Sequence, residues 1–279
     1  EIATSLRGRG LTTEVSPFSF REALRHRAID APSSWPVAQA ARSRLRHELD
    51  RHFACGGFPE VQDDDPHRDQ ILRGYLDVAI LRDVVERHRV ANVPLLRALV
   101  RRLLRSTGSR VSANALAQDL KSMGFTFAKA AIYELLDHLQ DAFLLFLLPV
   151  HTRSEKRRQV NPRKCYAIDH AFVRACVGRR GEDSGHWLEN IVYLELRRRG
   201  TVHGYHLTAS GREVDFVHGD VTGDELHLVQ ACANLGRAAT RQREVAALAE
   251  AMAEGTFGSA TIVTLAEEDE VRVGKTLIR

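Results

Sequence analysis

No lysine occurs between Lys164 and Lys275 of the 279-residue chain, and that gap weighs on how its last third is read. Nor does any apolar run approach the roughly 20 residues that a membrane span requires. The longest, AFLLFLLPV at 142–150, reads as a buried strand, and no membrane association is expected. The basic-then-apolar pattern of a signal peptide is missing from the start, and the chain opens on Glu1, as a fragment or processed product would. Its four cysteines, Cys55, Cys165, Cys176 and Cys232, show neither a CxxC pair nor zinc-ligand spacing. Reduced thiols and a cytoplasmic setting are expected. Thirteen histidines include no HExxH, and those at Arg25-His26-Arg27 and Glu86-Arg87-His88-Arg89 sit among arginines that would repel a metal cation. No dedicated histidine metal site is expected. GxSxG and the kinase motif set are absent too. VGKT at 273–276 has Asp269 where a phosphate-binding loop needs glycine, and only three residues follow it.

What is present is an ordinary folded composition, 44% hydrophobic and 27% charged, in a chain long enough for two or three domains. Charge is unevenly placed. Lys and Arg number 14 against 14 Asp and Glu over residues 1–93, 13 against 5 over 94–166, and 13 against 17 over 167–279. The middle segment therefore carries +8 and would attract a polyanion first.

Hydrophobic spacing divides the chain in the same three places. Residues 1–93 read as a helical segment: AARSRLRHELDRHFACGGF ends at a Gly56-Gly57 stop, and DQILRGYLDVAILRDVVERHRV is amphipathic to residue 90. Residues 94–166 read as a winged helix-turn-helix. Pro94 opens one helix, Ser112 caps a second and Thr126 a third, and two strands then flank the basic turn TRSEKRRQVNPRK. Lys129 on the third helix and Arg153, Lys156, Arg157, Arg158, Arg163 and Lys164 on the wing are candidate nucleic-acid contacts, since cations there meet phosphates. Tyr133 shares the third helix with Glu134, Asp137 and Asp141, so a solvated wing on a protein-interaction module is the competing reading.

Residues 167–279 alternate in the order αβββαβ, a small mixed-sheet α/β domain, which makes the whole chain α/β (α+β). A metal-dependent phosphodiesterase needs carboxylates to hold a hard cation and usually a lysine beside them. Glu189 on the helix, Asp215 on the second strand and Gln230 on the third converge at one sheet edge if Val214 and Phe216 face away from Asp215. Glu189 and Asp215 would be the metal ligands. The lysine is lacking: Cys232 stands two residues after Gln230. Efficient cleavage is not expected, and a metal-dependent endonuclease remains the competing reading.

TSLRGRGLTTEVSPFSFREAL (4–24), CGGFPEV (55–61), GYLDVAILRDVVER (74–87), LLDHLQDAFLLFLLPV (135–150), GHWLENIVYLELRRRG (185–200), GREVDFV and LHLVQACANL occur in one order. Together they resemble the archaeal and bacterial AAA+ ATPase family whose C-terminal half is the DUF4143 domain, a winged helix followed by a PD-(D/E)xK nuclease-like, restriction-endonuclease-like domain. The resemblance implies a P-loop module upstream, with ATP and Mg bound and hydrolysed by the full-length protein and no cofactor in this chain. It also implies that Arg7 and Arg9 lie near a nucleotide, and it carries Glu189, Asp215 and Gln230 over as a degenerate nuclease site. The expected function is binding of DNA, or of a protein partner or second copy, under control of that ATPase.

Overall fold

Ser19 and Glu22 cap each other's backbone in a reciprocal box, and with that the first helix, α1 (Phe20–His26), begins. The computed structural model describes residues 14–32, 36–63, 66–178, 184–219, 225–274 and 276–279. Arg7 and Arg9 lie outside the described residues. Helix α2 (Gln39–Cys55) stops at Gly56, whose φ of 77° and whose approach to Asp169 (a Cβ would sit 2.3 Å from Oδ1) both require glycine. Helix α3 (Arg68–Val78) continues as a π-helix over Ala79–Glu86. The amphipathic stripe is thus there, but it is wound wider than the α-helix its spacing predicts.

Asn92 caps α4 (Val93–Leu104), with Pro94 in the first turn. Strand β1 (Arg110–Val111) leads through the Ser112 cap into α5 (Ala113–Ser122), and α6 (Lys129–Asp141) follows. Thr126 does not cap α6: its N-cap is Ala128, with no side-chain bond. The reason is packing, because Phe125 and Phe127 both reach the helical core from the connecting segment before the helix can start. Strand β2 (Leu145–Leu148), the Ser154-capped helix α7 (Glu155–Val160) and β3 (Arg163–Ala167) complete this unit. Its sheet is antiparallel in the order β1-β3-β2. The basic segment expected as a turn holds a helix, and a further helix, α8 (His170–Val177), packs against α3 in the helical core.

Helix α9 (Ser184–Arg199) precedes strands β4 (Thr201–Leu207), β5 (Glu213–Gly219) and β6 (Leu226–Ala231). Helix α10 (Ala238–Glu254), β7 (Ser259–Val263) and a hairpin of β8 (Val271–Val273) and β9 (Thr276–Ile278) follow. The six strands form one mixed sheet, β4-β5-β6-β7-β9-β8, with β6, β7 and β9 mutually parallel and the other pairs antiparallel. The chain is therefore a mixed α/β protein with ten helices and a mixed six-stranded sheet among the described residues. The expected αβββαβ order is extended by the β8-β9 hairpin, which turns at Gly274 (φ 59°) inside the VGKT segment. Helix α9 covers one sheet face and α10 the other, each over its own apolar cluster. No described helix is long and apolar enough to cross a membrane.

The two sheets meet directly. Tyr205 on β4 donates its backbone N–H to Pro149 O at 3.0 Å and accepts from His151 N at 2.6 Å, while its hydroxyl donates to Pro162 O at 2.6 Å. Gly204 lies so close that a Cβ would come within 2.7 Å of Pro149 O. That contact sets β3 against α9 and β5, where the candidate site lies.

Candidate functional site

Alternation along RKCYA gives Lys164 and Tyr166 one face of β3 and Arg163 and Cys165 the other. The face of Lys164 and Tyr166 looks toward α9. Asn190 fixes this approach: its Oδ1 accepts from Ala167 N at 2.9 Å and its Nδ2 donates to Ala167 O at 3.1 Å, satisfying both backbone groups at the end of β3. Tyr166 stacks on Tyr193 with centroids 4.2 Å apart, and its hydroxyl donates to Glu189 Oε1 at 2.8 Å.

Strand β5 brings the second carboxylate through an irregularity. Between the pairs Gly204↔Val217 and His206↔Val214, β5 spends three steps against two on β4, the signature of a bulge. Val214 and Val217 pack toward α10, whereas Phe216 packs with Tyr166 and Tyr193 on the α9 side. Asp215 points to that same side. The expected arrangement, with both neighbours of Asp215 facing away, holds for Val214 and fails for Phe216, because the bulge interrupts the alternation there.

Lys164 Nζ ends among these groups, 2.7 Å from Asp215 Oδ1, 2.7 Å from Glu189 Oε1 and 2.9 Å from Glu213 Oε1. It is 2% exposed, with Asp215 at 5% and Glu189 at 8%. Lys164 was grouped with the wing cations, and the structure corrects this: alternation turns it inward, out of reach of a phosphate backbone. Burial opposes its charge, but Asp215, Glu189 and Glu213 outweigh that and hold its pKa above the usual lysine range. Burial, then the charge of Asp215, pushes the Glu189 carboxyl up to about 8, with Lys164 and Tyr166 pulling the other way.

Of the three residues expected to converge, Glu189 and Asp215 do. Gln230 adjoins them, but its groups are committed elsewhere: Oε1 accepts from Asp215 N at 3.0 Å, and Nε2 donates to Glu244 Oε2 at 2.9 Å. Asp215 Oδ2 accepts from Ala231 N at 2.8 Å. Cys232, at the end of β6, donates its thiol to Asn234 O, and burial pushes that thiol's pKa up. Glu213, Glu244, Tyr166 and the inward Lys164 were missed. Glu213 could have been found, since it stands two residues before Asp215 on a strand and so shares its face.

Chemically the cluster is a closed ion-pair centre. The oxygens a hard cation would need are bonded to an ammonium, and metal and lysine would compete for them. Were Lys164 withdrawn, Glu189, Glu213 and Asp215 would present carboxylate oxygens suited to Mg²⁺ or Mn²⁺.

The other candidate surface is exposed. Arg153, Lys156, Arg157 and Arg158 project from α7 and the residues before it, Lys129 opens α6, and Arg163 is half-buried. None of Arg153, Lys156, Arg157 and Arg158 has an ion-pair partner among the described residues. A groove of about 280 Å³ runs between α6 and α7, lined by Tyr133, Asp137, Gln159, Val160, Asn161 and Arg163.

A family model described as a domain of unknown function, DUF8612, matches residues 46–183. The chain is similar to an uncharacterized protein of Methanocaldococcus jannaschii, 32% identical over 97% of this chain and 60% of that protein. It is also similar to an uncharacterized protein of Haemophilus influenzae, 28% identical over 78% of this chain and 52% of that protein. It thus spans little more than half the length of these relatives. No solved structure matches it. These matches overturn the resemblance to AAA+ ATPases with a C-terminal DUF4143 domain: the matching model is DUF8612, and neither relative carries an AAA+ name. The implied ATP and Mg rested on that resemblance alone and go with it. Its motifs are short and mostly apolar or arginine-rich, a pattern that packing constraints can produce in unrelated α/β chains.

Proposed function

We propose that the chain binds duplex DNA through a winged helix spanning α4 to β3, and that the α/β unit behind it is a nuclease-like scaffold that braces the wing instead of cutting. The observation carrying this reading is the exposed cluster Arg153, Lys156, Arg157 and Arg158 on the segment between β2 and β3, beside α6. Helix, strand, two helices and two strands around a basic connection, with β3 central in the sheet, is the winged-helix order. Cations there would supply phosphate contacts, which position a protein on a duplex without reading its sequence.

The bracing role follows from Lys164. A residue of β3 closes the acidic pocket of the six-stranded unit, and this contact between the two sheets supports the bracing role. Electrophoretic mobility shift of a short duplex at two salt concentrations tests the proposal. Affinity should fall steeply with salt, and charge-reversed Arg157→Glu/Arg158→Glu should abolish it. Salt-independent binding, or none, would leave a protein-interaction module as the better reading.

One observation favours a second reading, a metal-dependent endonuclease: Lys164, Glu189 and Asp215, the lysine and two carboxylates such chemistry uses, stand within hydrogen-bond distance. In that case Lys164, from β3, takes the place left by Cys232. Incubation of supercoiled plasmid with Mg²⁺ or Mn²⁺ separates the readings. Nicking by wild type that is lost in Asp215→Ala would displace the bracing role.

A further inference from the structure

His88 lies just beyond the π-helical end of α3, and His138 lies 50 positions later on α6, yet the two imidazoles stack with centroids 3.9 Å apart and planes 15° from parallel. Asp141 is three residues after His138, on the same helical face. One donor atom from each of the three lies within 4.8 Å of the other two. Among the described residues this is the one group of three or more such side chains placed to share an ion. We propose that His88, His138 and Asp141 form a binding site for a divalent transition metal, Zn²⁺ by ligand preference, which ties the end of α3 to the last turn of α6.

The chemistry fits three ways. Two imidazoles and a carboxylate are the ligand types Zn²⁺ takes, and three protein ligands leave a fourth tetrahedral position for water or a partner's side chain. Two nitrogens bound to one tetrahedral zinc at about 2.0–2.1 Å stand about 3.3 Å apart, and because each lone pair lies in its ring plane, the stacked rings must splay as the donors close on the ion. Nε2 of His88 is buried with no hydrogen-bond partner, an unmet requirement for a ring nitrogen that a metal bond would meet.

Electrostatics agree. Burial, then His138 and Arg87, lower the His88 pKa, with Asp141 opposing. The arginines on either side, which made a metal site unexpected in the sequence, are both exposed on the helix end. Arg87 repels a cation weakly from solvent, while Asp141 supplies the compensating negative charge. The π-helical run ahead of His88 sets the phase at which the ring leaves α3. Position 89, where the chain turns with φ 55°, ends the helix immediately after it.

This site stands whether or not α6 contacts DNA, and its test is independent of nucleic acid. Isothermal titration of EDTA-stripped chain with ZnCl₂ in a non-chelating buffer should show one saturable equivalent, accompanied by a higher Tm, since a ligand bound to the folded state alone stabilises it. Removing a ligand should cost at least what losing an outer-shell partner does, about 10- to 100-fold in affinity, in each of His88→Gln and His138→Gln. Asp141→Asn, at an exposed position that the fold does not need, should weaken binding with unchanged circular dichroism. His227→Gln, remote from the site, should bind as wild type does. Absence of saturable Zn²⁺ binding would overturn the proposal, and so would binding that survives the double substitution of His88 and His138.

Discussion

Lys164 Nζ on β3 lies 2.7 Å from Asp215 Oδ1 on β5, so a buried ion pair spans the three-stranded and six-stranded sheets. Removing one member of such a pair strands the other in a medium that cannot solvate it. Lys164→Met should therefore destabilise the chain by about 3–5 kcal/mol, read from urea denaturation. Asp215→Asn alone should also destabilise. The double variant should be less costly than the sum, because each single change creates an uncompensated charge that the other removes. Additive losses would mean that the two groups do not interact as a pair.

Glu189 makes the same cluster sensitive to alkali. Its carboxyl is pushed up to about 8 by burial and by Asp215, so the folded chain holds a proton that the unfolded chain releases near the ordinary glutamate value of 4.5. The contribution is full below about pH 4.5 and is lost as pH rises through about 8. Glu189→Gln imitates the protonated form. Its stability relative to wild type should rise between pH 5 and 8.5, and an unchanged difference across that range would contradict the shift.

His52 acts on the acid side. Burial, then the neighbouring His170, Arg27 and Arg198, lower its pKa to about 3, and its Nδ1 is buried without a partner. The ring must stay neutral in the fold while the unfolded chain protonates it. Its stabilising contribution is present above pH 6.5 and is lost progressively as pH falls toward 3. His52→Phe keeps the ring contacts with Phe20 and His170 and cannot titrate. The variant should lose less stability than wild type between pH 7 and pH 5 by urea denaturation.

What could be read in advance followed the period of the side chains. Helices with a sustained apolar stripe, and the strands with alternation, fell where spacing placed them, and Glu189 and Asp215 came together because a helix and a strand of one small sheet leave few alternatives. Lys164 was misplaced because composition treats every cation between two strands as solvent-facing, whereas a one-residue change of position on β3 decides between wing and core. The bulge at Asp215 and Phe216 has no local signature in GREVDFV. It arises from the pairing with β4 across Gly204. His88 and His138 illustrate the same limit: neither carries any mark of the other, and only the packing of α3's end on α6 joins them.

The basic segment between β2 and β3 makes a quantitative prediction if it meets DNA as proposed. Each phosphate neutralised on a duplex contributes about −0.9 to the slope of log affinity against log salt. Arg157 and Arg158 are exposed on α7 and bury nothing, so their replacement by alanine should leave folding intact. Fluorescence anisotropy with a labelled duplex should then show weaker binding and a slope shallower by about 1.8. Lys164→Met would behave differently, reducing the folded fraction instead of the slope.

Asn190 offers the sharpest test of whether the sheet units are rigidly joined. Its amide is fully buried and satisfies both the N–H and the C=O of Ala167, at the end of the strand that carries Lys164. An apolar replacement leaves two backbone groups unpaired at a site closed to water, each costing about 1–3 kcal/mol. Asn190→Ala should therefore be among the most destabilising single changes in α9. Asn190→Asp should fail as well: a carboxylate can accept from Ala167 N but, ionised, has no proton to give Ala167 O, and it adds a negative charge next to Glu189. If Asn190→Asp instead unfolds at the same urea concentration as wild type, the clamp is not closed as the distances indicate, and β3 is free to move relative to α9.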